Sequence, residues 1–198
     1  MEPVARLASK NEGKLRELRA AMPGWEIELL GIDDYPPETG DTYYENARGK
    51  AEFGATREPG VWVIGEDSGI EVEFLGGRPG VRSARFGGDD PVGRLLAELD
   101  GVDNRRARYV CELVALDPDG VERRGTGFLE GSIDEEPRGS EGFGYDPIFV
   151  LEGEERTVAE LGNAWKRTNS HRARAAAALA ASLTPARASA PRGRSAAP

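Results

Sequence analysis

Val61-Trp62-Val63-Ile64-Gly65-Glu66-Asp67-Ser68-Gly69 decides how the chain is read. Four apolar residues, three of them β-branched, predict a buried strand. Two adjacent acids follow at its end. Desolvation penalises a charged carboxylate there unless a cation or hydrogen-bond donors compensate, and a divalent metal would do so. Gly65 and Gly69 allow tight turns and close ligand approach, so the acids are expected to face a cleft. The other reading is a hairpin turn with solvated acids, since Asp, Ser and Gly favour turns.

Working outward, an apolar strand over Val4 to Ala8 leads into Ser9-Lys10-Asn11-Glu12-Gly13-Lys14 and then a helical pattern through Leu15 and Leu18. Strand, polar loop, helix is an arrangement that can hold a phosphate on free N–H groups and the positive end of the helix dipole. The P-loop spacing is absent, and Asn11 could equally cap the helix. A strand through Ile27, Leu29 and Ile32 comes next. Thr42 with Glu45 forms a capping box opening a helix to about Thr56. Ile70, Val72 and Phe74 alternate as a second strand after the acids, and a short helix covers Pro91 to Leu99. Arg106 to Leu116 alternates Ala107, Tyr109, Cys111 and Leu113 against Arg106, Arg108, Val110 and Glu112, and Asp117 to Gly120 turns it into another strand. The alanine-rich Arg172 to Leu183 is a helix.

This order predicts an α/β fold: a mixed central β-sheet flanked by helices, in two lobes with a cleft between them. Residues 1–183 are expected to form one domain. Residues 184–198, rich in Ala, Pro and Arg, are expected to be a disordered tail.

The net charge is −9, so the average field repels anions and gives no basic surface for nucleic acid. An anion site must therefore be built locally. Only Lys10, Lys14, Lys50 and Lys166 are lysine, and two of the four lie in the first loop. Lys166 lies five residues before the only histidine, in Ser170-His171-Arg172. One cysteine, Cys111, excludes an internal disulfide and suits a reducing cytosol. No apolar run approaches the roughly 18 residues of a membrane span, and Met1 to Ala8 lacks a signal-peptide plan. A cytoplasmic protein without membrane contact is expected.

Several segments together resemble the inosine/xanthosine triphosphate pyrophosphatases. They are Ser9-Lys10-Asn11-Glu12-Gly13-Lys14; Glu38-Thr39-Gly40 with Glu45-Asn46-Ala47; Glu66-Asp67-Ser68-Gly69 with Leu75-Gly76-Gly77-Arg78-Pro79-Gly80 and Ser83-Ala84-Arg85; Gly142-Phe143-Gly144-Tyr145-Asp146-Pro147; and Lys166 with Ser170-His171-Arg172. They follow the family's order from Ser9 to Arg172. Arg82 stands where the family usually has an aromatic, and Asn163-Ala164-Trp165 where it tends to carry acids.

The resemblance implies hydrolysis between the α- and β-phosphates of ITP, dITP or XTP, giving monophosphate and pyrophosphate, by a homodimer. It implies Mg2+ on Glu38, Glu66 and Asp67, with Asp67 the catalytic base. Ser9, Lys10, Asn11, Glu12, Gly13, Lys14 and Ser68 would hold the substrate, chiefly its phosphates. Phe143 with Gly144 and Tyr145 would carry the base, and Asp146, Lys166, His171 and Arg172 would read its edge. Donors such as His171 and Arg172 suit the 6-oxo acceptor of hypoxanthine and xanthine and mismatch the 6-amino group of adenine. The alternatives are a related pyrophosphatase with another modified-base preference and a non-catalytic nucleotide-binding regulator.

Overall fold

Trp62–Val72 forms one unbroken strand in the structure, a computed structural model that describes residues 3–183. The expected tail lies outside the described residues. The acids therefore sit in mid-strand and not at a turn, which corrects both readings of Gly65 and Gly69. Neither glycine has a positive φ. What each provides is space. A Cβ on Gly65 would lie 1.9 Å from the Ala47 carbonyl oxygen, and one on Gly69 would lie 2.3 Å from that of Gly80. Backbone from other elements presses on the strand at both points.

The elements run β1 (Val4–Leu7), α1 (Glu12–Ala21), β2 (Glu26–Leu29), α2 (Tyr43–Arg57), β3 (Trp62–Val72), α3 (Pro91–Glu98), β4 (Arg106–Leu116), β5 (Glu122–Ile133), β6 (Phe149–Leu151), α4 (Val158–Asn169) and α5 (His171–Leu183). Short 3-10 turns cover Gly80–Arg85 and Asp146–Ile148. They form one six-stranded sheet in the order β2-β1-β3-β4-β5-β6, with β1 parallel to β2 and β3 and the remaining pairs antiparallel. The mixed α/β sheet is as expected. β2 stops before Ile32, and β6 and α4 have no counterpart in the sequence reading.

Two cores share the long strands. Leu7, Leu15, Leu18, Ile64, Leu113 and Leu179 pack β1, β3 and β4 against α1 and α5. Ile70, Leu95, Tyr109, Leu129, Ile148 and Phe149 form the second core farther along β3 to β5. α2 covers the opposite face of the first, through Ala47 and Ala51 on Val114 and Leu116. Val110 and Glu112 are also buried, although strand alternation alone would leave them outside, on the strand face whose Val114 and Leu116 α2 covers. The capping box of Thr42 and Glu45 is present, fixing where α2 begins and hence which residues meet β3.

Gly65→Ala is expected to cost about 1 to 3 kcal/mol, because the methyl would push α2 off the sheet. A lowered urea midpoint at unchanged slope checks this, and a midpoint equal to that of the parent would refute the close approach.

Candidate active site

Successive residues of a strand point to opposite faces, so β3 sends Glu66 and Ser68 toward α1 and α5, and Asp67 toward α2. Glu66 is buried, with Lys14 Nζ 2.5 Å from Oε2 and Arg172 Nη2 2.9 Å from Oε1. The Lys14 contact is an ion pair without hydrogen-bond geometry. Cys111 Sγ stands 3.5 Å from Oε1. Burial alone would push the Glu66 carboxyl up, but Lys14, Arg172 and Lys50 outweigh it and hold the group well below the usual carboxylate range.

Asp67 has a different surrounding. Asn46 Nδ2 donates to Oδ2 at 3.0 Å, and Lys50 Nζ is 3.5 Å from Oδ1. Here burial prevails over Lys50 and Lys14, so the carboxyl lies above the ordinary aspartate value. Lys50 also donates to Glu38 at 2.6 Å, and Arg85 reaches the other Glu38 oxygen at 3.0 Å. Burial would lower the Lys50 ammonium, yet Asp67, Glu66 and Glu38 raise it overall.

Lys50 and Asn46 are site residues that the sequence reading left unassigned. They lie four apart on α2, one turn along the same face. Lys50 is also one of only four lysines, the signal that could have found it. Glu17 was missed too: it faces Lys166 at 2.5 Å and Arg172 at 2.5 Å, three residues after Lys14 on α1.

The three carboxylates of the expected metal set do not converge on one point. Glu66 stands apart from Glu38 and Asp67 because it occupies the other face of β3 and both its oxygens face cations. Among the described residues no three of His, Cys, Asp and Glu converge closely enough to cage a metal. Glu38 and Asp67, bridged by one lysine, remain a pair of oxygen donors on a shared face. Such a pair suits magnesium, which commonly takes one or two carboxylates and completes its shell with water and phosphate.

In the first loop, Asn11 caps α1 by accepting from the Lys14 N–H, and its own N–H donates to Ser9 Oγ at 3.1 Å. Lys14 faces the site. Lys10 turns away, donating to the Asp33 carbonyl at 2.5 Å, and Glu12 is an exposed first-turn residue. Gly13 lets α1 approach Phe143: a Cβ there would lie 3.0 Å from that ring.

Phe143 is overlain by Lys166 Nζ at 4.6 Å from its centroid and by the Arg172 guanidinium at 5.6 Å. Its N–H donates to Asp146 Oδ2 at 2.8 Å, the oxygen that Lys166 also reaches at 2.5 Å. Gly144 takes φ 64°, turning the loop between them. Tyr145 joins the second core and donates to the Ser83 carbonyl at 3.1 Å, so it anchors the loop instead of facing a ligand. His171 stacks on Tyr109 with centroids 4.6 Å apart, and burial, with Arg172 beside it, holds the imidazole well below its ordinary value. Arg172 donates Nε and Nη2 to Glu66, Nη1 to Glu17 and Nη2 to Ser68. Its donors are thus committed to joining α5 to β3 and α1, and reading a base edge would require releasing one of them.

The arrangement is a buried band of alternating charge in which Lys14, Lys50, Lys166 and Arg172 are each held by carboxylates. Among the described residues no helix is long and apolar enough to cross a membrane.

The Ham1 family model matches residues 5–182. A Bacillus licheniformis protein, a dITP/XTP pyrophosphatase, is 43% identical over 189 residues that cover 89% of this chain and 96% of that one. The dITP/XTP pyrophosphatase of Symbiobacterium thermophilum is 48% identical over 179 residues, 86% of this chain and 90% of its own. Among solved structures, the Staphylococcus aureus Ham1 protein superposes with a TM-score of 0.79 at 35% identity, covering 90% of this chain and 96% of that one.

Proposed function

This chain belongs to the Ham1 family, and from that premise we propose that it is a magnesium-dependent pyrophosphatase that hydrolyses dITP, ITP and XTP to monophosphate and pyrophosphate, clearing deaminated purines from the nucleotide pool. The observation that carries this reading is the gathering of Lys14 and Lys50 around the acids of β3 in an otherwise lysine-poor, acidic chain.

Asp67 accepts the proton of the attacking water as its oxygen bonds to the α-phosphorus, and the bond from that phosphorus to the bridging oxygen breaks, releasing pyrophosphate. Its raised affinity for a proton suits it to that task. Asn46 fixes the orientation of the carboxylate. Lys14 and Lys50 stabilise the negative charge that develops on the phosphoryl oxygens and the leaving group. Glu38 and Asp67 would hold the metal, which when bound supplies further charge neutralisation and acidifies water. The purine ring lies against Phe143, with Asp146, Lys166 and His171 at its edge.

Pyrophosphate release from a panel of triphosphates tests the assignment. ITP, dITP and XTP are expected to turn over far faster than ATP or GTP, and chelation should abolish the reaction until magnesium is restored. Glu38→Gln is expected to shift the magnesium titration by about tenfold or more. Turnover that tolerates a chelator, or an unshifted titration in that variant, would remove the metal or Glu38 from the scheme.

A further inference from the structure

A cleft of about 670 Å³ opens beside Phe143 between α1 and α4, with Arg16, Glu17 and Arg19 on one side and Asn163 and Arg167 on the other. Its walls are basic in a protein of net charge −9. Glu17, the acid that lines it, is already engaged, and so are Asp146 and Glu141 behind its lining. Glu17 is paired with Lys166 and Arg172, and Asp146 with Lys166. Glu141 accepts from the Asn163 N–H at 2.7 Å, where α4 breaks at Gly162. Arg19 directs Nε to the Ile27 carbonyl. Arg16 and Arg167 are exposed, and no hydrogen bond or ion pair to a described residue holds either one.

The bases that deamination produces differ in charge. Xanthine, with two oxo groups, loses a ring proton near neutral pH, whereas hypoxanthine keeps its own into the alkaline range, as guanine does. We propose that Arg16 and Arg167 are specificity-determining residues that favour a purine base carrying a negative charge, the xanthine anion, over neutral hypoxanthine and guanine. This rests on the pyrophosphatase reading above and ranks the substrates within it. The triphosphate is common to all of them, so its attraction to the same arginines cancels in a ratio of substrates. Only the charge on the base remains, acting over a short distance in a partly solvated cleft.

The test measures kcat/KM for XTP and for ITP on the full chain with magnesium, from about pH 5 to about pH 8. Arginine stays charged throughout this window, and Asp67 acts on both substrates alike. His171, whose imidazole burial and Arg172 hold well below its ordinary value, is common to the parent and the arginine variants. The XTP:ITP ratio is expected to rise about three- to thirtyfold with pH and to shrink when salt is raised well above physiological strength. In Arg16→Gln/Arg167→Gln the rise should vanish, and Arg16→Lys/Arg167→Lys should restore it. A ratio independent of pH in the parent protein, or a rise that persists in the glutamine variant, would overturn the proposal. ITP turnover with a flat ratio sinks this inference alone; no pyrophosphate from either nucleotide sinks the pyrophosphatase reading with it.

Discussion

Asp67→Asn is expected to reduce pyrophosphate release from ITP by about a hundred- to ten-thousandfold, the range that a positioned general base contributes. The amide keeps the shape of the carboxylate, and its oxygen can still accept the Asn46 hydrogen bond seen at 3.0 Å. What it loses is basicity and the charge that Lys50 faces at 3.5 Å. The loss should fall on kcat, since Lys14 and Phe143 still hold substrate, and an unchanged far-ultraviolet spectrum would show an intact fold. A variant with near-normal release would show that the proton goes elsewhere. An effect confined to KM would make Asp67 a binding group only.

The sequence singles out the acids of β3, but not the directions in which they point. Gly65 and Gly69 invite a reading as breaks, and only tertiary contact reveals that they are there so that Ala47 and Gly80 can press against a continuous strand. Once the strand is continuous, alternation alone places Glu66 and Asp67 on opposite faces and gives them different surroundings. α2 was readable from its capping box, and that start sets Asn46 and Lys50 one turn apart on the face that meets Asp67. The commitment of Arg172 to Glu66 and Glu17 was beyond the sequence, since those partners lie 106 and 155 residues away along the chain. Contacts of that range depend on the whole fold being in place. β6 and α4 escaped for a local reason: β6 is three residues long, and α4 is interrupted by Gly162 at φ 81°, so neither sustains a period.

Glu66→Gln should separate a structural carboxylate from a metal ligand. The side chain is fully buried and faces Lys14 and Arg172, so neutralising it leaves two cations in a dry site with Glu17 as the nearest compensation for Arg172 alone. Breaking a buried pair in this way costs about 3 to 5 kcal/mol. For a domain of this size the melting temperature should fall by roughly 6 to 20 °C, and the urea midpoint should drop at unchanged slope. Linkage gives an independent sign. Because the folded state holds the Glu66 carboxyl well below its ordinary value, its contribution is complete above the usual glutamate range and is lost as pH falls through that range toward the depressed folded value. The parent protein should therefore lose stability on acidification more steeply than Glu66→Gln, and the two curves should converge at low pH. Added pyrophosphate should recover part of the loss by binding the freed cations in the folded state. If the variant kept the parent's midpoint and instead needed more magnesium for activity, Glu66 would be a metal ligand after all, and β3 would have to present both of its acids to one ion.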